Sequence, residues 1–177
     1  MKYIEEIAEK DIVIGQATIG YCYEKGIGIE INIKMAIYWY EKSAKQENRI
    51  AQYNLAYIYK YGIGVDKNKD KAIFWYEKSA EQGYQDAQYN LAYIYQNGDG
   101  IDKDIDKAIY WYEKSAEQGY QKAQYNLAYM YQNGDGIDKN IDKAIYWYKK
   151  SAEQGNKYAQ EKLEKLLKKG NNPCNIN

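Results

Sequence analysis

The four tryptophans of the chain, Trp39, Trp75, Trp111 and Trp147, lie 36 residues apart. The surrounding sequence repeats with them, since residues 87–122 are followed at once by an almost identical stretch, residues 123–158. No gap is needed to align the units, so a block of fixed size is stacked along the chain. Because each block can bury its apolar surface only against its neighbours, we expect a core that runs lengthwise.

Each unit divides into two predicted helices, which we call helix A and helix B. The positions of helix A that recur at helical spacing in the second unit are Ala51, Leu55, Ile58, Tyr59 and Gly62. The corresponding positions of helix B are Ala72, Trp75, Tyr76, Ser79 and Ala80. Both sets have the period of an apolar helix face, and no strand pattern competes with them.

Glycine and asparagine mark the ends of these helices. Gly62 and Gly64, which recur in every unit, stand where helix A must stop, because glycine enters the left-handed region without a Cβ penalty. The residues four positions after the second glycine suit an N-cap of helix B, and these are Asn32, Asn68, Asp104 and Asn140. Helix B ends at Gly83 and its equivalents. Glu47 takes that place in the first unit, so we expect a turn of different geometry there.

Two helices of about a dozen residues joined by short turns form an αα-hairpin, and repeated hairpins build an α-solenoid. We therefore expect an all-α fold with a 36-residue period in a single domain, residues 1–169. Its predicted parts are an N-terminal capping helix (1–14), repeats 15–50, 51–86, 87–122 and 123–158, and the C-terminal part of a capping helix (159–169). The tail, residues 170–177, has nothing to bury and is expected to be disordered.

Composition narrows the classes of function. The 25 basic residues equal the 25 acidic residues in number, so the chain lacks the basic excess typical of nucleic-acid or membrane-surface binding. No apolar segment has membrane length, and the two cysteines form no disulfide framework, which together favour a cytoplasmic location. We also expect a monomer. Histidine is absent, which excludes Ser-His-Asp and Cys-His catalysis.

The repeated unit resembles the Sel1-like repeat family, a relative of the tetratricopeptide repeat. The residues of the second unit that fall at the family's spacing are Ala51, Leu55, Tyr59, Gly62, Gly64, Val65, Ala72, Trp75, Lys78, Ala80 and Gly83. The resemblance covers nearly the whole chain. It implies a right-handed superhelix whose A helices line a concave groove, and it implies an adaptor or scaffold that holds other proteins. The cysteines of the cysteine-rich, β-lactam-binding members are missing here, so that activity is not carried over.

Three eye-catching patterns have structural explanations. We interpret the tryptophans as packing residues, because an aromatic residue at a fixed repeat position beside alanine is most often part of a core. The run Asp102, Asp104, Asp106 imitates a calcium loop, but Lys107 stands where that loop needs glycine. The glycine pairs lack the strand and third glycine of a dinucleotide site. We therefore expect no metal site, no cofactor and no catalytic residue.

A second face of helix A carries a ladder of tyrosines and polar residues. If the positions above are packed, the others must point elsewhere, and repeat geometry suggests the concave face. This predicted partner-binding set is Tyr53, Asn54, Tyr57, Lys60, Tyr61, Tyr89, Asn90, Tyr93, Gln96, Asn97, Tyr125, Asn126, Tyr129, Gln132 and Asn133. Tyrosine buries a large area at low entropy cost and keeps a hydroxyl, so it is enriched at interfaces. The ladder is broken in the first unit by Ala17 and Thr18.

The sequence thus predicts a non-catalytic adaptor that binds a peptide or protein segment in the groove. Three alternatives stay open: an enzyme of the β-lactam-binding type, a helical-repeat RNA binder whose tyrosines stack on bases, and a spacer whose near-identical repeats supply only length.

Overall fold

The protein is described here by a computed structural model that covers residues 13–170. This part of the chain consists of helices joined by short turns, and it contains no strand. The helices are α1 (Val13–Lys25), α2 (Ile33–Lys45), α3 (Arg49–Tyr61), α4 (Lys69–Glu81), α5 (Gln85–Asn97), α6 (Ile105–Glu117), α7 (Gln121–Asn133), α8 (Ile141–Glu153) and α9 (Lys157–Gly170). The expected all-α solenoid of helix pairs is confirmed.

The chain divides into two compact units, Met1–Leu91 and Ala92–Asn177, with the boundary inside α5. The single domain 1–169 stays a prediction. Most of the expected N-terminal cap, residues 1–12, and nearly all of the expected tail, residues 171–177, lie outside the described residues. None of the helices that the structure describes is long and apolar enough to cross a membrane.

In the first unit the core lies between α2, α3 and α4. Its buried members are Ala36, Tyr40, Ala44, Ala51, Leu55, Ile58, Tyr59 and Ala72. Of the helix A positions expected to pack, Ala51, Leu55, Ile58 and Tyr59 are therefore buried, and Gly62 is only partly buried. Gly20 of α1 shows why one position is small, since a Cβ there would lie 2.8 Å from the Tyr40 ring. Side chains as small as glycine and alanine let the helices come this close.

Helix ends form as the sequence predicts. The side chain of Asn68 accepts the backbone N–H of Lys71 at 2.9 Å, and Asn140 accepts that of Lys143 at the same distance. Gly62 ends α3 in the left-handed conformation, and its N–H donates to the Ile58 carbonyl at 2.9 Å. These bonds satisfy backbone groups that a helix end would otherwise leave without partners.

One turn differs from expectation. Glu47 has φ +62°, in the same left-handed region as Gly83, Gly119 and Gly155. Its N–H donates to the Ala44 carbonyl at 3.0 Å, as the N–H of Gly83 donates to Ala80. The prediction of a different turn geometry was therefore wrong, because the hydrogen bonds at the helix end impose one backbone conformation. A residue with a Cβ must adopt this conformation at an energetic cost.

Buried polar side chains join helix A to helix B, and the sequence analysis did not single them out. The Ser79 hydroxyl donates to the Arg49 carbonyl at 2.7 Å. The side-chain N–H of Gln82 donates to the buried Gln52 amide oxygen at 2.8 Å, while Gln52 donates to the Ala44 carbonyl at 3.2 Å. Gln52 thus connects α3 to the end of α2 and to the end of α4. A buried amide is stable here because both its ends are hydrogen-bonded.

The second unit has the same serine and glutamine hydrogen bonds in α6 to α9. The Ser151 hydroxyl donates to the Gln121 carbonyl at 2.9 Å, and Gln154 donates to the buried Gln124 side chain at 2.8 Å. Gln124 in turn donates to the Ala116 carbonyl at 3.1 Å. The last helix, α9, packs on α8, as expected of a C-terminal capping helix.

The tryptophans, which we expected in the core, are less buried than predicted. Trp39 is buried, but Trp75, Trp111 and Trp147 are only partly buried. The side chain that is fully buried in every repeat is the next residue, the tyrosine at Tyr40, Tyr76, Tyr112 and Tyr148. Trp75 still packs against the core of the first unit, so its interpretation as a packing residue holds in part. The central aromatic residue of the repeat is tyrosine.

Candidate functional site

In the first unit, the predicted partner-binding positions of α3 form an aromatic cluster. Tyr57 stacks near Tyr61 with ring centroids 4.5 Å apart, and Tyr53 lies 5.1 Å from Tyr84 and 5.8 Å from Tyr76. Tyr57 and Tyr61 are exposed, whereas Tyr53 and Asn54 are half-buried. The face therefore offers exposed rings resting on partly buried ones.

Lys60 is the cationic member of this cluster. Its ammonium lies 5.4 Å from the centroid of the Tyr61 ring and 5.9 Å from that of Tyr76. An ammonium within about 6 Å of a ring centroid is attracted by the ring's electrons. The cluster thus combines an aromatic surface with a positive charge. The corresponding positions in α5 and α7 are Gln96 and Gln132.

The predicted positions of α5 have the same order of exposure. Tyr89 and Asn90 are half-buried, Tyr93 is exposed, and Asn97 at the C-terminal end is exposed. Asn90 and Asn97 each donate to a carbonyl four residues earlier, at 2.8 Å. Their amides are therefore used in part within their own helix.

In the second unit, α7 presents the third group of predicted positions. Tyr129 is exposed and Tyr125 half-buried, with the Tyr125 ring 5.7 Å from Tyr148 and 6.5 Å from Tyr158. The ammonium of Lys162, from α9, lies 5.6 Å from the Tyr129 ring centroid. Asn133 is exposed at the helix end. This unit also places tyrosine rings beside a lysine, although the lysine here comes from a different helix.

Some predicted binding residues have a structural role that the sequence analysis missed. Gln96 accepts the Tyr112 hydroxyl at 2.8 Å, and Asn126 donates to the same hydroxyl at 3.1 Å. Gln132 accepts the Tyr148 hydroxyl, also at 2.8 Å. These side chains hold the hydroxyls of fully buried tyrosines. The signal in the sequence is a glutamine or glutamate 16 residues before the tyrosine, a spacing that only the fold explains.

The hydroxyls of Tyr53, Tyr76 and Tyr148 stay protonated near neutral pH. Burial raises the pKa of Tyr53 to about 12, with a smaller contribution from the nearby Asp86 carboxylate. Burial also raises the pKa of Tyr76 and Tyr148 above the ordinary tyrosine value. These three hydroxyls are therefore hydrogen-bond donors and do not act as tyrosinate bases.

Two clefts lie beside helix B and contain the partly buried tryptophans. In the first unit, Phe74, Trp75 and Lys78 line a cavity of about 310 Å³ together with Gln52 and Gln82. In the second unit, Tyr146, Trp147 and Lys150 line a cavity of about 420 Å³. Trp75 and Trp147 are therefore incompletely buried, because each has one side on a cleft.

The acidic run that imitates a calcium loop has the expected capping role. Asp104 begins α6 as its N-cap and accepts the backbone N–H of Lys107 at 3.0 Å. Chiefly because of this hydrogen bond, the pKa of Asp104 is lowered from its ordinary value. In the part of the chain that the structure describes, no group of three His, Cys, Asp or Glu side chains is placed to hold a metal ion.

The repeated helix pairs, their left-handed turns and their shared capping residues define the chain as a helical-repeat protein of the α-solenoid class. The sequence profile of the Sel1 repeat matches residues 14–48, 49–84, 85–120 and 121–156. The chain therefore belongs to the Sel1 repeat family, whose members are commonly protein-interaction scaffolds.

Solved structures of proteins with Sel1-like repeats (SLR) are similar to this chain in sequence and in fold. A protective antigen present in uropathogenic Escherichia coli strains, displaying an SLR fold, is 40% identical over 95% of this chain with a TM-score of 0.87. A Sel1 repeat protein from Oxalobacter formigenes is 33% identical over 96% of this chain and 69% of its own length, with a TM-score of 0.88. The chain spans only 36% of the E. coli antigen.

A more distant similarity is to cysteine-rich protein B of Helicobacter pylori. That protein is 25% identical over 74% of this chain and 94% of its own length, with a TM-score of 0.59. Among curated proteins, none matches this sequence significantly.

Proposed function

We propose that this chain is a non-catalytic adaptor that binds a peptide or protein segment on the tyrosine-bearing face of α3, α5 and α7. The observation that carries the proposal is an exposed tyrosine at the same position of each helix. The side chains of Tyr57, Tyr93 and Tyr129 are 39%, 45% and 40% exposed. Exposed tyrosine supplies apolar contact area and a hydroxyl at low entropy cost, as binding surfaces require.

The polar residues beside these tyrosines suit an extended segment. Asn97 and Asn133 are exposed at the ends of α5 and α7, where an amide can pair with a peptide backbone. Tyr53 and Tyr125 are half-buried, and their rings contact those of Tyr57 and Tyr148 respectively. Preorganised aromatic side chains lose little freedom on binding, which favours affinity.

Capture of partners from a lysate of the source organism tests the proposal. A variant with Tyr57→Ala, Tyr93→Ala and Tyr129→Ala should stay folded, because these side chains are exposed, and should lose the captured proteins. The matched control changes three somewhat more exposed tyrosines of the B helices, and these are Tyr38, Tyr110 and Tyr146 at 53%, 50% and 52% exposure. Quantitative mass spectrometry compares the two variants. If both retain or both lose the same proteins, the tyrosine face of helix A is not the binding site.

A further inference from the structure

The buried tyrosine of the second repeat, Tyr76, lacks the hydrogen bond that its counterparts have. Tyr40, Tyr112 and Tyr148 each donate at 2.8 Å to a side-chain oxygen 16 residues earlier, which belongs to a glutamate in the first case and to glutamines in the others. The residue 16 positions before Tyr76 is Lys60. An ammonium group has only donors, so Lys60 cannot accept this hydroxyl proton.

A second possible hydrogen-bond partner of the Tyr76 hydroxyl, Asn90, is engaged elsewhere. Asn126 donates to the Tyr112 hydroxyl at 3.1 Å, and Asn90 occupies the equivalent position relative to Tyr76. The Asn90 amide instead donates to the Asp86 carbonyl at 2.8 Å. As a result, the Tyr76 hydroxyl is buried and has no hydrogen-bond partner among the described residues. Such a group costs free energy, so its presence in a folded chain calls for an explanation.

The ring that carries this hydroxyl lies next to the surface proposed for partner binding. The Tyr76 ring is 5.8 Å from that of Tyr53, and the Lys60 ammonium is 5.9 Å from the Tyr76 ring centroid. The same ammonium is 5.4 Å from the ring of exposed Tyr61. A donor without an acceptor, a cation and exposed aromatic rings are therefore together on α3 and α4.

We propose that the bound partner supplies the missing acceptor, as a carboxylate that pairs with Lys60 and accepts the Tyr76 hydroxyl. This inference rests on the proposed function and names the chemistry of the segment bound by the first unit. A carboxylate is favoured over a neutral carbonyl because it meets both the cation and the donor, and charge-assisted hydrogen bonds are the stronger kind.

Access to the hydroxyl requires a movement of a side chain, and Lys60 is the one placed to make it. The hydroxyl is closed from solvent in the free chain, while the Lys60 side chain is only half-buried on a flexible four-carbon stem. Rotation of such a stem takes picoseconds to nanoseconds when it is partly exposed. A carboxylate that draws the ammonium outwards would open the hydroxyl at the same time.

Selection of random dodecapeptides displayed on phage, with the full chain as bait, tests the inference. The wild-type chain should enrich peptides that share one acidic residue at a fixed position. In a synthetic version of an enriched peptide, Glu→Gln or Asp→Asn at that position should weaken binding about ten-fold or more, whereas amidation of the C-terminus should leave binding unchanged.

Variants of the chain locate the site. Tyr76→Phe removes only the hydroxyl, and Lys60→Gln removes the cation while supplying the acceptor found in the other repeats. Each should weaken the acidic peptide about ten-fold or more and leave its glutamine version unchanged. Tyr110→Phe, which removes an exposed hydroxyl on a B helix, is the control and should bind as wild type. Melting curves of Lys60→Gln should show a midpoint no lower than that of the wild type, which verifies folding.

The outcomes separate this inference from the proposed function. Enriched peptides without a shared carboxylate, or equal affinity for wild type and Tyr76→Phe, would overturn the carboxylate site and leave peptide binding intact. A selection that enriches no peptide would overturn both.

Discussion

The helix pairs α3–α4 and α7–α8 have nearly the same residues and the same local geometry, yet their buried tyrosines differ in one respect. The Tyr148 hydroxyl donates to Gln132, whereas the Tyr76 hydroxyl has no partner in the described chain. Both rings are fully buried. The comparison shows that the buried ring is the same in both pairs, while the hydrogen bonding of its hydroxyl depends on the polar side chains that the A helices provide. Differences between repeats are therefore informative at the polar positions.

Alanine substitution should show that the ring dominates in both pairs. Tyr76→Ala and Tyr148→Ala should each lower the free energy of unfolding by about 4 kcal/mol, because each removes a fully buried aromatic ring. Trp75→Ala and Trp147→Ala should cost about 2 kcal/mol, since these rings are only partly buried. Urea unfolding monitored by circular dichroism measures all four. Equal losses for tyrosine and tryptophan would contradict the assignment of tyrosine as the central core residue.

The relative burial of tyrosine and tryptophan on helix B could not be predicted from the sequence, whereas the architecture of the repeat could. The 36-residue period was sufficient to predict the helix pairs, the left-handed glycine turns and the caps at Asn68 and Asn140, because these depend on local propensity and spacing. Tyrosine and tryptophan are neighbours on helix B, and both lie near its packed side. The hydrophobic pattern alone cannot say which of two adjacent rings is buried more deeply.

For the candidate site, the exposed tyrosines could be predicted from the sequence, but the hydrogen bonds of its polar residues could not. Exposure of Tyr57, Tyr93 and Tyr129 agrees with the predicted ladder, since these positions lie opposite the packed stripe. The bonds of Gln96 and Gln132 to buried hydroxyls were not predictable, because they join residues 16 positions apart on different helices. Their role as partner-binding residues stays a prediction. The sequence therefore predicts which face of helix A is exposed, and the fold shows which polar side chains of that face are already hydrogen-bonded to buried tyrosines.

Removing only the hydroxyls tests the difference between the two pairs directly. Tyr148→Phe should lower the free energy of unfolding by about 1 kcal/mol, because it deletes a hydrogen bond to Gln132. Tyr76→Phe should be neutral or stabilising by a comparable amount, because it deletes a buried donor that has no acceptor among the described residues. The measurement is again equilibrium unfolding in urea. A similar loss in both variants would show that Tyr76 has a partner after all.

The turns after helix B offer a second comparison of one position between repeats. Glu47 and Gly83 share the left-handed conformation, which favours glycine. Glu47→Gly should therefore raise the free energy of unfolding by about 0.5–1 kcal/mol, after the greater chain entropy of glycine is subtracted. Gly83→Ala should lower it by about 1 kcal/mol, and this loss would come from the backbone alone, since no atom lies within 4 Å of the added Cβ. A destabilised Glu47→Gly would show that the glutamate side chain makes a contribution that outweighs its strain.

The caps of α6 and α8 differ by a charge, which gives the smallest expected effect. Asp104 and Asn140 accept equivalent backbone N–H groups, but only Asp104 titrates. The N–H of Lys107 lowers the pKa of Asp104 in the folded chain, so the cap stabilises fully above the pKa of the unfolded chain, near 3.8. This contribution is lost as the pH falls from there through the lower folded pKa, where the carboxylate is protonated. Asp104→Asn should accordingly show a smaller drop in melting temperature between pH 7 and pH 3 than the wild type. An equal drop in both proteins would mean that the charge of Asp104 adds nothing to the neutral cap that Asn140 provides.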